Sequence, residues 1–146
     1  MSYIRASRPL AVGVQPVFIG WLDQWIYEDD PVSAVQTPLE AADVTEIYFS
    51  LFTTRKIVTG FTSSEMVYHP VEEYQNVPIG NDRIKPVFQF DNEFFSKMGI
   101  VPMKANFIYI PENLPPLFAE PAHYIARFDL EIGSKTYPFV IELTIF

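Results

Sequence analysis

Side chains able to act as acids, bases or metal ligands are few and widely spaced in this sequence. There are two histidines, His69 and His123, and no cysteine. A serine or threonine nucleophile needs a base within hydrogen-bonding reach, but neither histidine lies in a nucleophile-elbow or triad-like motif. The histidines also lack the closely spaced partners of zinc ligands, and no glycine belongs to a GxGxxG or P-loop pattern. The sequence therefore predicts no catalytic residue, no metal site and no cofactor.

Adjacent carboxylates occur in two places, Glu28-Asp29-Asp30 and Glu72-Glu73. A glycosidase needs two carboxylates facing each other across a cleft, one of them in an apolar environment. A calcium loop would space its ligands around a sharp bend, and no D-x-D-x-D-G pattern is present. We interpret these acidic residues as solvated side chains in turns, and we predict a protein that is not an enzyme. A small enzyme built around His69 or His123 is the least favoured alternative.

Aromatic and basic side chains suggest recognition of other molecules instead. Trp21 and Trp25 share one face of the alternating stretch WLDQWIY. Core packing is their favoured role, because an indole buries a large area and needs one hydrogen-bond partner; binding of a sugar or a protein surface is the alternative. Residues 1–9 are interpreted as an N-terminal arm, either a frayed terminus or a segment lying on a neighbouring subunit. The candidate interaction residues are Tyr3, Ile4, Arg5, Arg8, Trp21 and Trp25.

Composition limits both the fold and the partners. With 49% hydrophobic and 16% aromatic residues, the 146-residue chain can build the core of one domain. The formal net charge of −8 disfavours sequence-independent binding to nucleic acid, because such binding needs lysines and arginines to displace counterions. We find no secretory signal and no apolar run of the ~18 residues that a membrane span requires. A soluble protein without nucleic-acid or membrane partners is expected.

The strongest structural pattern lies between His123 and Phe146. Apolar residues alternate along both sides of Gly133-Ser134, a pair that suits a type II′ turn because the first position needs a positive φ. Such a turn sets a register in which every inward pair is apolar. The predicted pairs are Leu130 with Tyr137, Phe128 with Phe139, Ala126 with Ile141, and Tyr124 with Leu143.

Further strand patterns are separated by turns and by 13 prolines, among them Pro86. Strands are expected near 10–19, 21–27, 44–52, 66–69, 87–90 and 105–110. Lys56–Thr59 is expected to form a short partner strand in a hairpin-like return beside 44–52. One short helix is expected to begin at Asp91 or Asn92 and to end at Gly99. The predicted fold class is all-β: an antiparallel β-sandwich, immunoglobulin-like or jelly-roll-like, with at most one short helix. The predicted organisation is an arm at 1–9 and a single sandwich domain at 10–146.

Two segments resemble the immunoglobulin-like β-sandwich modules of tailed-phage virions, such as the N-terminal domain of baseplate upper proteins. From Trp25 to Leu51, a strand, the turn Asp30-Pro31-Val32 and a small-residue loop precede Asp43–Leu51. This order is similar to the family's strand, Asp-Gly-x-Pro-Val turn, loop and Val-x-Phe-x-Leu strand, although the glycine is missing. Tyr124-Ile125-Ala126-Arg127-Phe128 resembles the family's Tyr-x-Ala-x-Phe strand, which precedes a closing hairpin.

This resemblance implies a building block of a virion, made in the host cytoplasm and lacking an active site. We expect a non-enzymatic phage structural protein of the tail, the baseplate or the capsid decoration. It would dock on neighbouring virion subunits and form a homo-oligomer. The alternative is a β-sandwich module that binds a carbohydrate or a receptor through Trp21, Trp25 or exposed tyrosines.

Overall fold

The computed structural model describes residues 2–6, 16–24, 37–56, 66–90, 103–111 and 122–145. Nine strands and two short 3₁₀ helices lie in these ranges. The strands are β1 (Tyr3–Ala6), β2 (Phe18–Trp21), β3 (Glu46–Lys56), β4 (Met66–Pro70), β5 (Val77–Pro78), β6 (Ile84–Phe90), β7 (Met103–Tyr109), β8 (Ala122–Ile132) and β9 (Lys135–Ile145). The 3₁₀ helices are Ala41–Asp43 and Asn81–Arg83. Within these ranges no helix has the length and apolar character to cross a membrane. The helix expected at 91–99 lies outside them.

The strands form two antiparallel sheets. One has the order β1-β2-β7-β6; the other has the order β4-β3-β8-β9, with β5 also pairing with β3. The larger of the two clusters of buried apolar side chains in the described ranges draws on both sheets, so the sheets pack face to face. The predicted all-β sandwich is therefore confirmed.

The C-terminal hairpin has the register expected from its turn and its alternation. All four predicted inward pairs, from Leu130 with Tyr137 to Tyr124 with Leu143, are register partners. Gly133 has a φ of 63°, and Ser134 is not among the residues with positive φ. A positive φ at the first turn residue followed by a negative φ at the second is the pattern of a type II′ turn. Alternate side chains of β8 are buried, as the pattern indicates.

Aromatic rings from both sheets fill the middle of the sandwich. Phe18 of β2 and Tyr109 of β7 meet Phe49 of β3 and Phe128 of β8. The ring centroids are 5.1 Å apart for Phe18 and Phe128, and 5.5 Å apart for Phe49 and Tyr109. Aromatic pairs at such distances contribute ~0.5–1.5 kcal/mol each beyond the area that they bury. These contacts fix the two sheets against each other.

Strand β3 is longer than the sequence predicts. The expected return of the chain at Lys56–Thr59 is wrong, because Lys56 is still part of β3 and pairs with Met66 of β4. Residues 57–59 lie outside the described ranges. No glycine or proline occurs between Leu51 and Gly60, so the sequence offers no breaker to mark where this strand ends.

Prolines inside strands lie at the edges of the sheets. Pro86, interpreted from the sequence as a turn marker, is part of β6, an edge strand whose register shifts between Ile84 and Phe88. Pro138 lies in β9, the edge strand of the other sheet. Because proline has no N–H to donate, it is tolerated at such positions and at bulges.

Part of the predicted N-terminal arm belongs to the sandwich. Tyr3–Ala6 forms β1, an edge strand that pairs with β2 of the same chain. The segment is too short for its alternation to be recognised in the sequence. Met1 and residues 7–9 lie outside the described part of the chain, as do residues 10–15 of the predicted first strand.

Candidate interaction surface

Three of the six candidate interaction residues share one face at the edge of the four-stranded sheet. Strand alternation places Tyr3 and Arg5 on the face opposite to Ile4, and Tyr3 is the register partner of Trp21. The guanidinium carbon of Arg5 lies 4.7 Å from the centroid of the Tyr3 ring, a cation–π distance. Arg5 is exposed, whereas Tyr3 and Trp21 are partly buried. We call Tyr3, Arg5 and Trp21 the edge patch.

The other three candidates are not part of this patch. Ile4 points inward, is 8% exposed and belongs to the core cluster, so its predicted role at the surface is corrected to packing. The physical reason is the alternation of β1, which turns Ile4 away from its two neighbours. Arg8 and Trp25 lie outside the residues that the structure describes.

The edge patch is held in place by the close approach of β1 to β2. A Cβ atom built on Gly20 would lie 2.4 Å from the backbone oxygen of Tyr3 and 2.9 Å from Cγ1 of Ile4. Only glycine therefore fits opposite Ile4 without moving β1. At the start of β1, the Ser2 hydroxyl donates to Oδ1 of Asp23 and accepts from the Asp23 backbone N–H, each at 3.0 Å. These contacts position Tyr3 against Trp21.

A buried amide fixes the backbone that follows Trp21. The N–H of Leu22 donates to Oδ1 of Asn106 at 2.8 Å. Nδ2 of Asn106 donates to the carbonyl oxygens of Leu22 at 2.7 Å and of Leu39 at 3.1 Å. The sequence does contain a signal for this site, because an asparagine within an apolar strand must find partners when it is buried. The strand pattern of residues 105–110 does not by itself show which groups those partners are.

The two histidines lie on opposite faces of one sheet. His69 of β4 is the register partner of Thr53, which shares the inner face with Leu51. His123 is exposed on the outer face, with Nδ1 2.9 Å from Oγ1 of Thr144. A site that uses both imidazoles is therefore not formed. In the described ranges, no group of three or more His, Cys, Asp or Glu side chains is arranged to hold a metal ion.

The acidic pairs differ in what the structure shows of them. Glu72 and Glu73 are exposed in the turn between β4 and β5. Neither therefore lies in the apolar environment that a glycosidase acid requires. Residues 28–30 lie outside the described ranges.

Two tyrosines with shifted pKa values belong to the core. Burial raises the pKa of Tyr109 to about 12, against an opposing effect of the Arg83 guanidinium, whose carbon lies 5.2 Å from the ring centroid. Burial also raises the pKa of Tyr74, and the charge of Glu73 acts in the same direction. Both shifts stabilise the protonated phenol. They fit a role in packing, because a catalytic base would need a pKa nearer to neutrality.

Comparisons of this chain with protein-family models, with curated proteins and with solved structures find no match. The edge patch is therefore interpreted from its own geometry.

Proposed function

We propose that this chain is a non-enzymatic structural protein of a phage virion, in which the β-sandwich docks on neighbouring subunits. The observation that carries the docking role is the edge patch, where Tyr3, Arg5 and Trp21 meet at the edge of a sheet. Tyrosine, tryptophan and arginine are the residue types enriched at the energetic centres of protein interfaces. The resemblance of Trp25–Leu51 and of Tyr124–Phe128 to virion sandwich modules supports a place in the tail, the baseplate or the capsid decoration.

The sandwich provides a rigid base for this docking. Strand β1 is fixed to β2 by the close approach at Gly20 and by the Ser2–Asp23 hydrogen bonds, and the buried Asn106 fixes the backbone that follows Trp21. A surface ordered before binding loses less conformational entropy when a partner arrives. This favours assembly, in which many copies must adopt the same geometry.

Carbohydrate binding is the second candidate, because two aromatic residues, Tyr3 and Trp21, are cross-strand register partners at the edge of a sheet. A sugar ring stacks on an aromatic face. The Arg5 guanidinium occupies one face of the Tyr3 ring, so stacking there would first have to displace a favourable cation–π contact. Docking of a protein is therefore the better-supported function.

Sedimentation velocity of the wild type and two variants tests the docking role. We expect the wild-type protein to form a symmetric oligomer and Arg5→Glu to weaken it, with an unchanged circular dichroism spectrum. Lys85→Glu is the matched control, because Lys85 is an exposed cation on β6, at the other edge of the same sheet. A wild-type protein that stays monomeric at every concentration would contradict the proposal, as would equal effects of the two reversals.

The virion setting and the carbohydrate alternative have separate tests. Mass spectrometry of phage particles purified from the host should find this chain as a stoichiometric component, and its absence would overturn the virion assignment.

On a glycan array, wild-type binding that Trp21→Ala abolishes in a folded variant would favour the carbohydrate function instead.

A further inference from the structure

The outer face of the five-stranded sheet carries an apolar band that crosses four strands. Phe52 of β3 lies between two register partners, Pro70 of β4 on one side and Ile125 of β8 on the other. Tyr68 lies two residues before Pro70, and Val140 of β9 lies diagonally beside Ile125. All five face away from the core, because their neighbours in sequence alternate inward. We call these five residues the apolar band.

The apolar band is accessible to a partner. Val140 is 59% exposed and Tyr68 is 40% exposed, and they stand at opposite ends of the band. Of the three large apolar side chains that are exposed in the described part of the chain, two therefore lie here. Phe52 and Ile125 are partly buried and connect them. Apolar side chains that are exposed singly need no explanation, but a connected group indicates an interaction site.

Carboxylates flank this band. Glu142 is exposed and is the register partner of Ile125. Glu131 of β8 and Glu46 of β3 are register partners further along the same face. Glu46 accepts hydrogen bonds from the backbone N–H groups of Gly80 and Ile47, which leaves Glu142 and Glu131 as the acids best placed to meet a partner.

Arg127 is the one cation among the side chains described on this face, and its charge is already matched. Its Nε atom lies 3.0 Å from Oδ2 of Asp129. Its guanidinium carbon lies 5.7 Å from the centroid of the Phe52 ring. The face therefore combines an apolar centre with a net negative surrounding.

We propose that this face is a second docking surface, whose partner is a protein that presents apolar side chains beside lysine or arginine. Burying the band would remove apolar area from water, and a basic rim would match Glu142 and Glu131. A second copy in face-to-face contact would bring carboxylates against carboxylates. Nucleic acid and anionic membranes carry the same sign of charge as the face, which disfavours both.

This surface is independent of the edge patch. The patch lies on the four-stranded sheet, whereas the band lies on the outer face of the opposing sheet. One copy of the sandwich can therefore be held from both sides. The proposal goes beyond the docking function above and does not require it.

A displayed library of random peptides, selected against the full chain, tests the chemistry of the partner. We expect the enriched peptides to combine lysine or arginine with apolar residues, and a synthetic consensus peptide to bind more weakly as salt is added. Val140→Asp should weaken that peptide at least about tenfold, because it places a charge within the buried contact. Glu142→Lys should weaken it several-fold while leaving the apolar band intact.

Val87→Asp is the matched control, since Val87 is also an exposed valine (43%, against 59% for Val140) but lies on the other sheet. It should leave binding of the consensus peptide unchanged, as should Arg5→Glu in the edge patch. Enrichment of acidic or uncharged peptides, no enrichment, or equal losses in Val87→Asp and Val140→Asp would overturn the proposal. Dimerisation of the wild type that Val140→Asp abolishes would also overturn it, because the occupant would then be a second copy.

Discussion

At the scale of single residues, the position of β1 depends on the absence of a side chain at residue 20. The contacts that a Cβ would make there, at 2.4 Å and 2.9 Å, are shorter than van der Waals separation. The closer of the two is with backbone, the carbonyl oxygen of Tyr3, which cannot move aside as the end of a flexible side chain can. Gly20 is therefore required for Ile4 to reach the core.

Gly20→Ala is expected to displace β1 and to expose Ile4. Full burial of an isoleucine contributes about 1.5–3 kcal/mol, so we expect the free energy of unfolding to fall by roughly 1–3 kcal/mol. Amide hydrogen exchange at Tyr3–Ala6 should become faster. Denaturant titration and exchange mass spectrometry measure the two effects.

Gly133→Ala provides the comparison for this variant. No atom lies within 4 Å of a Cβ at Gly133, but its φ of 63° is unfavourable for alanine. The control therefore loses about 1 kcal/mol through strain at the turn, with unchanged exchange in β1. If the amides of β1 exchanged as slowly in Gly20→Ala as in the wild type, the explanation by close approach would be wrong.

Residue types alone indicated part of the edge patch. The chemistry of Tyr3, Arg5 and Trp21 makes them candidates, but the sequence does not show that they lie together. Tyr3 and Trp21 become partners only through the pairing of β1 with β2. The prediction for Ile4 is wrong, because its inward direction follows from that same pairing.

At the scale of elements, local pairings could be predicted and distant ones could not. The register of β8 with β9 follows from a two-residue turn and alternation on both sides of it. The pairing of β2 with β7 brings Phe18 opposite Tyr109. No local sequence pattern indicates which of several apolar strands will pair with β2. The apolar band was missed for a related reason: Ile125 stands in sequence beside charged positions, and its apolar neighbours come from other strands.

Asn106 joins elements that are distant in sequence, and its loss should be costly. Asn106→Leu keeps the approximate size of the side chain but removes all three hydrogen bonds to Leu22 and Leu39. A buried polar group left without a partner costs about 1–3 kcal/mol. We therefore expect a clear decrease in the midpoint of urea unfolding.

Asn81→Leu is a suitable control for this change. Asn81 donates to the carbonyl oxygens of Ala41 and Val44 at 3.0 Å and 2.8 Å, but at a partly buried site. Water can replace its bonds there, so the loss of stability should be smaller. Equal losses in the two variants would show that burial does not decide the contribution of Asn106.

At the scale of the whole molecule, stability should fall at alkaline pH because the core between the sheets contains Tyr109. Its pKa is raised to about 12 in the folded protein, whereas a tyrosine in an unfolded chain titrates near 10. The folded state thus favours the neutral phenol. This contribution is complete below about pH 10 and is lost as the pH rises towards 12, with a slope of up to about 1.4 kcal/mol per pH unit.

Tyr109→Phe should reduce this alkaline loss, because it keeps the ring and removes the ionisable hydroxyl. Free energies of unfolding from denaturant titrations between about pH 9 and pH 12 measure the slope. Tyr68→Phe is the control, since Tyr68 is exposed on the outer face. Parallel curves for the wild type and Tyr109→Phe would contradict the assignment of this slope to Tyr109.

The central place of β3 in its sheet has a consequence for synthesis on the ribosome. Translation produces Glu46–Lys56 long before Ala122–Ile132, the strand that pairs along β3. Until Ile132 has been made, Phe49 and Leu51 of the nascent chain lack the neighbouring strand that completes their surroundings. Such late pairing of distant segments is typical of slowly folding β proteins and exposes apolar strands meanwhile. We therefore expect the nascent chain to depend on chaperones that shield β3 until β8 arrives.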